Sequence, residues 1–220
     1  MKKNLIIAIK MTIATTILLG LIYPLAVTGI AHLVFPYQAN GELIRRDGAV
    51  IGSKLIGQGF SGAGYFDSRP SAAGYGYDAQ NSNGSQLGPT NRKLVDTIES
   101  RIADAHKENP DAPVPVDLVT SSASGLDPDI TPAAANFQIP RVARERGMTE
   151  PEVAALIRKY TEERQWGFLG EPRVNVLELN LALDQIHPMK KATTTAPSMA
   201  GNRSAPAGVA SRVRQEVAGN

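Results

Sequence analysis

The chain has 220 residues, 42% of them hydrophobic and 20% charged, with a formal net charge of +2. This near-neutral balance argues against a nucleic-acid-binding surface. The absence of cysteine excludes disulfides, thiolate metal sites and a cysteine nucleophile.

The first predicted element is an apolar helix over residues 11–35, a segment without formal charge. At about 1.5 Å per residue it exceeds the roughly 30 Å of a bilayer's hydrocarbon core. A cleaved signal peptide or a buried core helix is the alternative, but a signal's apolar run is shorter and precedes a small-residue cleavage site. We therefore predict an uncleaved transmembrane helix.

The flanking charges predict how this helix is oriented. Lysines are concentrated before it, at Lys2, Lys3 and Lys10, and such an excess marks the cytoplasmic side. Residues 1–10 are then cytoplasmic and the protein is a single-pass protein of the inner membrane. The domain over 36–187 is extracytoplasmic.

One face of the helix carries small and hydroxyl side chains, which recur every four residues at Thr12, Thr16 and Gly20. Such a face allows another transmembrane helix to approach closely. The following pair, Tyr23 and Pro24, predicts a kink whose freed carbonyl needs a neighbour. The alternatives are a helix packed inside a multi-helix membrane complex and a plain anchor.

Beyond the helix, Asp47-Gly48 predicts a tight hairpin between strands over 42–46 and 49–51. Residues 52–91 are rich in Gly, Ser, Asn and Pro and predict a long ordered loop with a functional or docking role. An amphipathic helix is predicted over 91–107.

The remainder predicts one strand and several helices. The strand covers 113–119. One helical segment starts at Thr131-Pro132, is split at Pro140 and ends at Gly147. A further helix starts at Thr149, which forms a capping box with Glu152, and extends to about Glu163. Residues 176–186 favour a helix, although alternating leucines leave a strand open. The fold class is α+β, followed by a disordered tail over 188–220.

The sequence offers little catalytic chemistry. Residues 57–62 match the G-x-G-x-x-G pattern but lack the helix that must follow it, and no phosphate loop occurs. Serines 121, 122 and 124 favour turn chemistry over a nucleophile. Asp127-Pro128-Asp129 favours a turn over an acid pair or cation site. No catalytic residue, metal site or cofactor of its own is predicted. Arg69 is expected to pair with a carboxylate inside the fold or with a partner protein.

Six segments occur in the same order in one known group: residues 23–29, 65–72, 84–91, 116–120, 124–132 and 170–184. On these segments the chain, from about residue 3 to 186, resembles the C subunit (KdpC) of the bacterial Kdp potassium-transporting P-type ATPase. It departs from the common pattern at Gln86 and Asp129.

The resemblance implies a non-catalytic, single-span subunit of a high-affinity potassium import complex. Its partners would be a channel-like potassium-binding subunit, the ATP-hydrolysing P-type subunit and a small stabilising subunit. The implied role is in assembly and as a catalytic chaperone that raises the affinity of the ATP-hydrolysing subunit for ATP. A membrane-anchored serine hydrolase and an anchored binding module remain the alternatives.

The resemblance also suggests particular residues. The resemblance places nucleotide contact at Ser53, Gly57 and Gln58. Independently of it, aromatic side chains beside an arginine in the long loop predict partner docking at Tyr65, Phe66 and Arg69. The predicted orientation puts Gln58 outside the cytoplasm, where ATP is scarce. Either ATP is contacted directly, or the effect on ATP affinity is allosteric.

Overall fold

A computed structural model describes residues 2–189. It begins with a long apolar helix made of α1 (Lys2–Ile17), a π-helical turn (Leu18–Ile22) and α2 (Tyr23–Val34), with none of its residues buried. The helix is long and apolar enough to cross a membrane. It starts nine residues before the predicted span, because lysine is a good helix former and charge limits membrane burial rather than helicity.

The sequence predicts a kink at Tyr23-Pro24, and the structure has a π-helical turn that ends immediately before Tyr23. The Tyr23 N–H bonds the carbonyl of Leu18, five residues back. Proline has no N–H to donate and its ring crowds the carbonyl four residues earlier, so a wider turn relieves the conflict at this point.

A short helix α3 (Pro36–Ala39) leads into an antiparallel hairpin of β1 (Leu43–Arg46) and β2 (Ala49–Ser53). The turn residues Asp47 and Gly48 have φ of 51° and 80°. These positive values are what a two-residue primed turn requires, and the hairpin prediction is confirmed.

The rest of the domain packs four helices on a small antiparallel sheet. Its strands are β3 (Asp129–Ile130), β4 (Thr161–Glu162) and β5 (Arg173–Asn175), in the order β3-β5-β4. The helices are α5 (Pro132–Phe137), α6 (Ile139–Arg146), α7 (Glu150–Lys159) and α8 (Val176–Ile186). The core lies between them and includes Phe66, Ile130, Val142, Val153, Ile157, Val174, Leu179 and Leu183. The mixture of helices and sheet agrees with the predicted α+β class.

The predicted helix signals are present in the structure. Thr131 caps α5 through the N–H of Ala134, and Asn175 caps α8 through the N–H of Glu178. Thr149 and Glu152 form the expected capping box. Gly147 ends α6 with φ of 65°, in the left-handed region where glycine carries no penalty.

Two sequence predictions differ from the structure, whereas the helix predicted over 176–186 is confirmed against its strand alternative. Residues 113–119 form no strand, and only a 3-10 turn (Val116–Leu118) is present, because Pro113 and Pro115 cannot donate to a ladder. Helix α7 ends at Lys159 instead of Glu163, since Thr161–Glu162 pairs with β5. The strand alternative over 177–183 is wrong because these residues form α8.

The segment between the hairpin and the next helix, residues 54–91, contains one 3-10 turn (Ala79–Asn81) and is otherwise irregular. Ser71 helps to order it, because its Oγ donates to the carbonyl of Gly125 and accepts the N–H groups of Ala73 and Tyr77. Helix α4 (Arg92–Glu108) follows, capped by Asn91, as predicted. From Lys190 onward, the predicted tail lies outside the residues that the structure describes.

Candidate functional site

The three residues predicted to contact nucleotide bond to other parts of the chain. The Ser53 hydroxyl donates to the carbonyl of Gly41 at 2.7 Å and accepts the N–H of Leu55. The Gly57 N–H donates to the carbonyl of Leu126 at 2.8 Å. This segment therefore ties the hairpin to the loop before β3.

The backbone at Gly57 packs so closely against the backbone of Asp127 that only glycine fits at this position. A Cβ there would lie 2.5 Å from the carbonyl oxygen of Asp127. Gln58 is half-buried; its Nε2 donates to the carbonyl of Ile51 at 3.4 Å, and a Cβ at Gly52 would collide with its side chain. The segment is locked in place by the hairpin and the loop before β3.

Arg69 pairs with a carboxylate inside the fold, one of the two outcomes that the sequence left open. Its Nη1 lies 3.0 Å from Asp127 Oδ2, and its Nη2 donates to Thr120 Oγ1 at 3.4 Å. The carbonyl of Arg69 accepts the Tyr77 hydroxyl at 2.6 Å, and burial raises the pKa of Tyr77 to about 12. The long loop is thus fastened to the segment that precedes β3.

Phe66 is fully buried in the core, which corrects its prediction as a docking residue. The apolar ring is removed from water, and its backbone N–H and carbonyl bond the side-chain amide of Asn180 at 2.8 and 2.9 Å. Because both backbone groups are satisfied by one buried amide, the loop can pass through the core without a strand partner.

Tyr65 lies at the edge of the core. Its ring stacks on Phe60 with 5.6 Å between ring centroids, and its hydroxyl donates to Asp184 Oδ2 at 3.2 Å. The guanidinium of Arg146 lies over the Tyr65 ring, with 4.6 Å between its Cζ and the ring centroid. Tyr65 therefore joins the long loop to α6 and α8.

Two arginines of α6 hold the loop, and the sequence predictions missed both. Arg141 is buried and donates to the carbonyls of Ala63 and Tyr65 at 2.6 and 2.8 Å, and it pairs with Asp67 and Glu108. Burial raises the pKa of Asp67 and the charge of Arg141 opposes that rise. Arg146 donates to the carbonyl of Gly64 and to Asp184.

A sequence signal for Arg146 does exist. It falls seven residues after Ile139 on the stripe that Val142 and Ala143 continue, and all four residues are buried. A charged residue on the apolar stripe of a helix needs a buried partner, which here is the long loop.

Charged residues line two clefts of the described domain. One, of about 250 Å³, includes Asp67, Arg101, Glu108 and Phe137. The other, of about 270 Å³, includes Arg69, Asp127, Asp129 and Arg173. In the second, burial raises the pKa of Asp129 and the neighbouring Arg173 opposes the rise. Neither cleft is lined by Ser53, Gly57 or Gln58.

The described residues place Ser124 and the Asp127–Asp129 pair in contacts within the fold. They contain no group of three His, Asp or Glu side chains arranged to hold a metal ion. Ser124 accepts the N–H of Leu126 and lies 3.5 Å from Ser122, as turn chemistry predicts. The Asp127-Pro128-Asp129 carboxylates pair with Arg69 and Arg173.

The arrangement is therefore an apolar helix joined to a domain whose long loop is held by side-chain bonds to α6 and α8. The family of the K⁺-transporting ATPase c chain, KdpC, matches residues 5–185. The chain belongs to the KdpC family.

Proteins with the name "Potassium-transporting ATPase KdpC subunit" are similar over most of the chain. The one from Koribacter versatilis is 59% identical over 86% of this chain and 98% of its own length. That from Acidobacterium capsulatum is 60% identical over 82% and 97%. That from Rhodospirillum rubrum is 55% identical over 83% and 95%.

Membership in KdpC identifies the chain as an accessory subunit of a potassium-transporting ATPase, distinct from the subunit that catalyses ATP hydrolysis. Membership in this family also answers the serine hydrolase alternative, since the match covers residues 5–185. The apolar N-terminal helix makes the chain a membrane-anchored protein.

Proposed function

We propose that the chain holds the ATPase complex together and raises the affinity of its catalytic subunit for ATP without binding the nucleotide itself. The observation that carries this proposal is the bonding of Ser53, Gly57 and Gln58. Their polar groups serve contacts within the chain, and Gly57 has no room for even a Cβ against Asp127. An effect on ATP affinity is then a coupling between sites.

The proposed topology supports this reading. Lys2, Lys3 and Lys10 hold the N-terminus in the cytoplasm, so the domain after the apolar helix lies outside the inner membrane, away from ATP. Protease added to sealed spheroplasts should degrade the domain and spare a cytoplasmic marker. Protection of the domain would reverse the topology and restore direct nucleotide contact.

Assembly is proposed to depend on the apolar helix. The Thr15 hydroxyl bonds back to the carbonyl of Met11 at 2.9 Å, whereas Thr12 and Thr16 bond no group through their hydroxyls within the described part of the chain. A Cβ at Gly20 would meet only the Thr16 methyl, at 3.8 Å. This face is open to a second helix that packs closely and offers hydroxyl partners.

The partners in this proposal are a channel-like potassium-binding subunit, the ATP-hydrolysing subunit and a small stabilising subunit. Purification of the full chain in a mild detergent from cells that express all of these subunits should retain all three. A chain recovered alone, from cells in which the other subunits are present in the membrane, would contradict the assembly role.

Nucleotide binding is tested on the full chain and on the assembled complex. Calorimetry of the purified full chain with millimolar ATP should show no binding, while the complex without this chain should need more ATP for half-maximal hydrolysis. Gln58→Ala should change the ATP affinity of the complex little, because the wild-type side chain contacts the hairpin of the same chain. One-site ATP binding to the chain alone, lost in Gln58→Ala, would overturn the allosteric reading.

A further inference from the structure

A hairpin tip between β4 and β5 exposes three large apolar side chains. Trp166, Phe168 and Leu169 are 84%, 68% and 43% exposed, although such residues are ordinarily covered. The two rings lie 6.5 Å apart, so they form one apolar knob. Trp166 is also the only tryptophan in the chain.

The backbone holds this knob rigidly. Gln165 and Leu169 exchange two hydrogen bonds, of 2.9 and 3.0 Å, and close the loop on itself. At the base of the hairpin Arg164 pairs with Glu171. A large side chain held out on a closed hairpin loses little conformational freedom on binding.

The conformation of Trp166 is a second, independent observation. Its φ is 53°, followed by 82° at Gly167. The first of these positions suits Asn, Asp or Gly, and positive φ is an outlier for a bulky side chain. A turn that accepts this strain to present an indole is suited to binding rather than to stability.

The charges around the knob decide between a protein and a lipid surface. From β4 to β5 the carboxylates are Glu162, Glu163 and Glu171, against two cations, Arg164 and Arg173. Attachment to an anionic membrane relies on an excess of Lys or Arg, which this hairpin does not have. Tryptophan is instead among the residues that most often form binding hot spots between proteins.

We infer that Trp166 and Phe168 insert into an apolar pocket of another subunit of the ATPase. This inference rests on the proposed function, because it assumes that such a complex forms. It adds an attachment point on the domain that is separate from the apolar helix, and it names the side chains that make it.

The test compares Trp166→Asn with the wild-type full chain. Asparagine tolerates positive φ, so the hairpin should remain closed and the melting temperature of the purified chain should stay the same or rise. The affinity of the chain for the other subunits should nevertheless fall at least about tenfold, the range of a hot-spot tryptophan. Tyr75→Asn, which removes a fully exposed aromatic ring elsewhere, is the matched control and should leave the affinity unchanged.

The outcomes separate this inference from the proposed function. If wild type retains the other subunits and Trp166→Asn retains them equally, the inference is wrong and the assembly role stands. If wild type itself fails to retain them, the assembly role is wrong. A dimer of the purified chain that Trp166→Asn converts to monomer would identify a second copy as the occupant and overturn the inference.

The fluorescence of the single tryptophan tests whether the apolar knob inserts into the membrane instead of a protein pocket. The full chain is reconstituted in vesicles of phosphatidylcholine and phosphatidylglycerol, with and without bromine on the acyl chains. Because bromine quenches only an indole that reaches the acyl region, Trp166 fluorescence should be the same in both vesicles. Strong quenching by the brominated lipid would place the knob in the bilayer and overturn the inference.

Discussion

The guanidinium of Arg146 lies over the ring of Tyr65, with 4.6 Å between Cζ and the ring centroid. Both side chains also bond the carboxylate of Asp184, Arg146 at 3.0 Å and Tyr65 at 3.2 Å. One carboxylate thus joins the long loop, α6 and α8. The buried arginine is held by an ion pair, a carbonyl and an aromatic face together.

Arg146→Met should therefore lower the free energy of unfolding by about 1–3 kcal/mol, because the half-buried carboxylate of Asp184 loses its counter-ion and a buried carbonyl loses its donor. The carbonyl of Gly64 would lose its Arg146 donor, and Asp184 would keep only the Tyr65 hydroxyl of its two donors. Urea denaturation of the full chain in detergent measures the change. Arg144→Met, on the exposed side of the same helix, should shift stability by less than about 0.5 kcal/mol. Equal effects at both positions would contradict the structure.

Gly57→Ala tests the close contact between the Gln58 segment and the loop before β3. Its Cβ would stand 2.5 Å from the backbone oxygen of Asp127, so the two segments must separate, at a cost of about 1–3 kcal/mol. Gly88→Ala is the control, since a Cβ there meets nothing within 4 Å. Thermal melts of the two variants should differ, and a Gly57→Ala protein as stable as Gly88→Ala would show that the contact is absent.

The ion pairs of Glu162 predict how the stability of the protein changes at acid pH. Its pKa is lowered mainly by the hydrogen bond from Lys54, with Arg173 also contributing. A carboxylate with a lowered folded pKa stabilises the protein above its ordinary value near 4.5, and this contribution is lost as pH falls through the folded pKa. Glu162→Gln should therefore be less stable than wild type at pH 7, and the difference should shrink below pH 4.5.

Denaturation midpoints measured across that pH range test this sign. Glu163→Gln, which alters an exposed neighbour without an ion pair in the described domain, should leave the profile of wild type unchanged. A difference between Glu162→Gln and wild type that grows as the pH falls would contradict the assignment.

Gly20→Leu tests the open face of the apolar helix. Because a Cβ at Gly20 has room within the chain itself, loss of function in this variant reports on a neighbouring helix. We expect less of the channel-like subunit to co-purify and potassium uptake to fall. Gly29→Leu has the same free space and lies outside the four-residue stripe of Thr12 and Thr16, so its effect should be smaller. Normal yield and uptake in Gly20→Leu would leave the helix as an anchor.

Several elements were predictable because the interactions that form them are local. The hairpin turn depends on the φ preferences of Asp47 and Gly48, and the helix starts depend on side chains that bond N–H groups two or three residues later. The π-helical turn of the apolar helix lies just before Pro24, whose missing N–H is likewise a local property. The apolar helix itself follows from uninterrupted hydrophobicity.

The sequence by itself determined these elements, the class of the fold and the family. Only the tertiary structure decided that β3 pairs with β5, whose partners Asp129 and Asn175 are far apart in the chain, because strands of two or three residues carry almost no pattern of their own. It also decided that Phe66 is buried, that Arg69 pairs with Asp127, and that Arg141 and Arg146 hold the long loop. Each of these outcomes depends on which distant segment covers a side chain, and burial of that kind arises only when the whole domain packs.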